Sequence, residues 1–145
     1  MKMMKKSDQG FTLIELLVVV AIAGIFLAFM ISTLGAGRQR SIDAKNMHAI
    51  ALALAQAESY FASNNGYGAA GAAVAGNACG GDTSVMSALS KVTSSAPATC
   101  TVGAAGVSIA ISAPSRANPT LSLCADSLGF SSQATASTSQ TGVCK

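Results

Sequence analysis

FTLIELLVVVAIAGIFLAFMISTL, residues 11–34, carries one charged side chain, Glu15, in a run otherwise broken only by Thr12, Gly24, Ser32 and Thr33. A helix needs about 20 apolar residues to cross the hydrocarbon core of a bilayer, and this stretch is long enough. Lys2, Lys5 and Lys6 precede it and outnumber Arg38 and Arg40 behind it. The positive-inside rule then keeps the N-terminus in the cytoplasm and sends the rest outside. A secretory signal or a plain anchor is the simplest reading of such a run, but a signal h-region spans only about 7–15 residues. Neither reading needs Glu15. A carboxylate in the bilayer costs roughly 2.5–3.5 kcal/mol on insertion scales, so its presence calls for a cationic partner.

Gly10-Phe11 suggests the partner. If a peptidase cuts there, the new Phe11 amine is a cation near neutral pH and lies one helical turn from Glu15. Within one helix the pair is weak. Between packed copies each chain offers one acid and one amine, and a buried pair of this kind sets register more than it adds stability.

Lys5-Lys6, Gln9-Gly10-Phe11-Thr12-Leu13-Ile14-Glu15-Leu16 resembles the class III signal of type IV prepilins and pseudopilins. The resemblance covers roughly the first 60 residues. It implies cleavage after Gly10 and N-methylation of Phe11 by a prepilin peptidase, with Glu15 in assembly and register. It also implies an inner-membrane precursor, an assembly platform with its ATPase, and a helical homo-oligomer that ends as an extracellular pilus. Many type IV pilins carry Pro in the second half of the apolar run, where this chain has Ser32. Gly24, then Gly35 and Gly37, are the expected soft points, each costing roughly 1 kcal/mol against Ala inside a helix.

Beyond the glycines, Met47, Ile50, Leu54, Ala57 and Phe61 repeat at helical spacing, with Asp43, Lys45, His48 and Glu58 expected mostly off that face. One helix from Phe11 to about Ala62 would be roughly 75–80 Å long. Asn64-Asn65-Gly66 should end it. Residues 64–82, rich in Gly and Ala, read as a surface connector, and Asp82 as the cap of a short helix to Leu89. Val107–Ile111 and Leu121–Leu123 alternate as strands, Phe130 opens a third, and Ser131–Thr141 reads as a surface loop. The expected organisation is a leader (1–10), an apolar helical segment (11–34), its amphipathic continuation (35–63) and a head (64–145). The fold class is α+β: a long N-terminal helix packed on a small antiparallel β-meander, stapled by disulfides.

Cys79, Cys100, Cys124 and Cys144 all follow the span and lack zinc-site spacing. Four cysteines allow three pairings. Cys79–Cys100 with Cys124–Cys144 is favoured, because each bridge closes its own loop of about 20 residues, worth roughly 3 kcal/mol.

Half of the 145 residues are hydrophobic and 10% charged, with a net charge of +3, which excludes a disordered chain and a broad basic face for nucleic acid. Nucleic acid is not expected as a direct partner. No cofactor or metal site is expected: Asp82 and Asp126 are too few hard ligands for calcium, and no triad or G-x-S-x-G motif points to an enzyme. The expected function is a structural type IV pilin subunit serving adhesion, motility, secretion or DNA uptake. Alternatives are a pseudopilin of type II secretion, a minor pilin, or more distantly a membrane-anchored extracytoplasmic binding domain.

Overall fold

The computed structural model describes residues 10–71, 75–135 and 143–144. Helix α1 spans Leu13–Asn64 and α2 spans Thr83–Leu89; strands β1 (Thr99–Val102), β2 (Ile109–Pro114), β3 (Leu121–Asp126) and β4 (Ser131–Thr135) follow. The fold is α+β. Two compact units divide between Gly37 and Arg38.

In the first unit α1 is helical without a break through Gly24, Gly35 and Gly37. None of its described residues is buried, and Leu13, Ile25 and Phe29 are each more than 70% exposed. A helix apolar all round needs an apolar surrounding, because it has no single face to give to a core.

In the second unit the four strands form one antiparallel sheet in the order β1-β2-β3-β4. The pleat sends alternate side chains to opposite faces. Cys100, Val102, Ile109, Ile111, Ala113, Leu123 and Ala125 join Ile50, Ala53 and Ala57 of α1 and Val85 and Ala88 of α2 in the main core. Ala110 and Cys124 point the other way and are covered by Cys144. The sheet is thus buried on both faces, by helices on one and by the end of the chain on the other. The bridges are Cys79–Cys100, inside the main core, and Cys124–Cys144, over the second face.

Asp43 lies on the packed face of α1, not off it. It is 4% exposed and accepts hydrogen bonds from the Ser115 hydroxyl (2.6 Å), the Arg116 amide (2.7 Å) and the Ala117 amide (3.0 Å). Burial by itself would raise its pKa. The Ser115 hydroxyl, the two amides and the Arg116 charge outweigh that and hold the carboxyl below its ordinary value. One turn on, Asn46 accepts from the Thr93 amide (2.8 Å) and donates to the Thr93 carbonyl (3.1 Å). These two side chains fasten to α1 the segment before β1 and the β2–β3 connection. On the second face Asp126 accepts from the Leu128, Phe130 and Cys144 amides at 2.9, 3.0 and 2.8 Å, fixing both the β3–β4 turn and the chain end.

Three further expectations change. The Gly/Ala-rich stretch is not merely a surface connector: Tyr67, Asn77, Ala78 and Cys79 are buried. Gly68 bridges to Asn77 and Gly71 to Val102, which builds this stretch onto the sheet. β1 was not apparent in the sequence. Ser131–Thr135 pairs with β3 as β4, where a surface loop was expected; the rest of that loop, residues 136–141, lies outside the described residues. Other features are where the sequence puts them. Asp82 caps α2 by accepting from the Ser84 and Val85 amides, and Asn65 takes the left-handed conformation (φ 55°) just past α1.

Candidate functional site

The chain enters α1 through Gly10, Phe11 and Thr12, none of them helical. Thr12 is the N-cap. Its Oγ1 accepts from the Glu15 amide (3.3 Å), and Glu15 Oε2 accepts in return from the Thr12 amide (3.3 Å) and the Thr12 hydroxyl (3.0 Å). This is a capping box, the pattern of Ser or Thr followed three residues later by Glu or Gln, which satisfies two otherwise orphaned backbone donors. Glu15 therefore has a task within its own chain that the argument from bilayer cost overlooked. The signal was present in the sequence as Thr12-Leu13-Ile14-Glu15.

The geometry has two chemical consequences. The Gly10–Phe11 peptide lies ahead of the cap, on exposed, non-helical backbone, and nothing lies within 4 Å of where a Gly10 side chain would start. A peptidase can engage such a peptide without unwinding a helix. Cutting there leaves the Phe11–Thr12 amide intact, so the capping box survives cleavage. The cap bonds all fall on Oε2 of Glu15, and Oε1 makes none among the described residues. One carboxylate oxygen thus starts the helix while the other stays open to an outside donor.

His48 is exposed on α1, and no group of three or more His, Cys, Asp or Glu among the described residues could hold a metal ion. At the edge of the core the Phe61 ring packs on that of Tyr67, with centroids 4.8 Å apart. Burial pushes the Tyr67 hydroxyl above its ordinary pKa, against a hydrogen bond to Ser127.

Residues 5–31 match the model of a family described as the prokaryotic N-terminal methylation motif. This is the class III signal peptide of type IV pilins and pseudopilins, and it marks precursors of a structural kind rather than enzymes. The match takes in Gly10, Phe11, Thr12, Glu15 and most of the apolar run. Neither the search of curated proteins nor that of solved structures returned a match.

Proposed function

We propose that this chain is a structural pilin subunit. Its precursor is anchored in the inner membrane by residues 11–34, cut after Gly10 and methylated on the Phe11 amine by a prepilin peptidase. It then polymerises into an extracellular type IV pilus. The observation that carries this reading is the methylation motif running into the N-terminal stretch of α1, where the described large apolar side chains from Leu13 to Ile31 are exposed. Such a helix is soluble only in lipid or among copies of itself. Moving it from lipid to protein gains little hydrophobic energy, so close packing must favour the polymer and an assembly ATPase must drive extraction.

Register follows from Glu15. In the polymer its free Oε1 accepts the charged Phe11 amine of a neighbouring copy while Oε2 keeps the helix capped. A subunit that is out of step leaves one acid and one amine buried and unpaired, a cost of several kcal/mol. A pseudopilin or minor pilin would share this front end. The bridge that ties Cys144 to β3, and with it the loop it closes, favours a pilus subunit that displays that loop.

Mass spectrometry of the protein recovered from sheared filaments tests the reading. A mature chain beginning with N-methylated Phe11 is expected. An intact Met1, a start near Arg38, or filaments lacking this chain would overturn it.

A further inference from the structure

Of the six acidic residues, Asp8 leaves with the leader and four others are taken up by the fold. Glu15 caps α1, Asp82 caps α2, and Asp43 and Asp126 are buried acceptors of backbone amides. Glu58 remains. It is exposed on α1 and makes no hydrogen bond or ion pair among the described residues.

The basic side chains are distributed differently. Lys45 and His48 of α1 and Lys91, just after α2, rim an open groove of about 530 Å³ whose lining includes Ala49 and Leu52 but no carboxylate. Lys45 and Glu58 are 13 positions apart in one continuous helix. At 1.5 Å and 100° per residue they are separated by about 20 Å along the axis and about 140° around it. Glu58 cannot reach the groove of its own chain by way of Lys45. The helix therefore presents a cationic flank low down and an anionic flank higher up. Unlike, complementary patches make head-to-tail contacts, which propagate into filaments when the rotation does not close a ring.

We infer that Glu58 of one copy docks in the Lys45–His48–Lys91 groove of a second copy offset by about 20 Å along α1, a different neighbour from the one that meets Glu15, whose offset is only roughly 6 Å. The inference rests on the polymer proposed above and adds a second, head-level contact to the one at Glu15. A second copy is the occupant the charges favour. Among the described residues each chain supplies this groove and the Glu58 carboxylate, so the two can be matched one to one along the polymer.

Zero-length carbodiimide coupling of wild-type filaments, followed by peptide mapping, tests this without any variant. An amide between Lys45 and Glu58 can form only between copies, and it is the expected product. Lys45→Glu and Glu58→Lys should each lower the yield of sheared filaments by up to about five-fold, the upper end for one exposed pair. The double variant should recover most of that loss. Filaments that begin at methylated Phe11 yet give no such link, with no recovery in the double variant, would overturn the inference and leave the proposed function standing. Loss in Lys45→Glu with no loss in Glu58→Lys would overturn it in favour of an external anion, such as a nucleic acid or an acidic lipid headgroup. Filaments lacking this chain would remove both.

Discussion

Glu15 caps α1, and the proposed function gives it a second role that different substitutions would separate. Glu15→Gln keeps an acceptor for the Thr12 amide and so keeps the capping box, but it removes the charge that would face a neighbour's amine. Glu15→Ala removes both. If register rests on charge, both variants should lose filaments while the processed monomer accumulates in the membrane; normal yield from Glu15→Gln would reduce the residue to a helix cap. Gly68 is the opposite case, a residue with no chemistry and no freedom. It has φ +90°, and an added Cβ would lie 2.4 Å from the Gly76 carbonyl oxygen and 2.6 Å from Asn77 Cα. Gly68→Ala should cost at least about 2 kcal/mol, read by denaturant unfolding of the full chain in detergent. Asp43 links stability to pH. Its folded pKa lies below the ordinary carboxyl value of 3.8, so its contribution is fully present above about pH 4 and fades as the pH falls through the lower, folded value. Asp43→Ala should lose about 2–3 kcal/mol at neutral pH and flatten that acid limb.

At the level of elements, the sequence revealed what is local and hid what is distant. The α1 pattern, the Asp82 cap and the turn at Asn65 each depend on neighbours within a few positions, and each could be read. The burial of Asp43 could not. Its partners Ser115, Arg116 and Ala117 are 72 to 74 positions away, and an Asp among charged and small residues looks like a solvated one. β1 was hidden because its four residues alternate too briefly to stand out. β4 was hidden because an edge strand of Ser and Gln lacks the apolar alternation that marks a buried one. The cysteines were legible because two non-crossing loops are the simplest closure. Replacing Cys124 and Cys144 together with Ser should cost about 3 kcal/mol on the chain-entropy account. It should also increase hydrogen exchange at the Cys144 amide position, although Asp126 still accepts from it.

The whole molecule is two units with different solvents. The first, to Gly37, has no buried described residue and depends on detergent, lipid or other copies for its environment. The second, from Arg38, holds every described residue that is buried and both bridges. Reduction in micelles should therefore lower the melting temperature of the head while a helical circular dichroism signal from residues 13–37 outlasts its unfolding; a single transition that removes all helicity would contradict this division. The net charge of +3 understates how basic the outside of the head is. Asp43 and Asp126 are internal, whereas Arg38, Arg40, Lys45, Lys91 and Arg116 are exposed, so the head is more basic outside than its sequence suggests.

The anchoring of Cys144 has a practical consequence. β4 is paired to β3, and Cys144 is joined to the same strand by a covalent bridge reinforced by Asp126. A foreign epitope spliced between Thr135 and Cys144 would be closed into a covalent ring by that bridge, and in the proposed polymer it would recur once per subunit, as a carrier for multivalent antigen display requires.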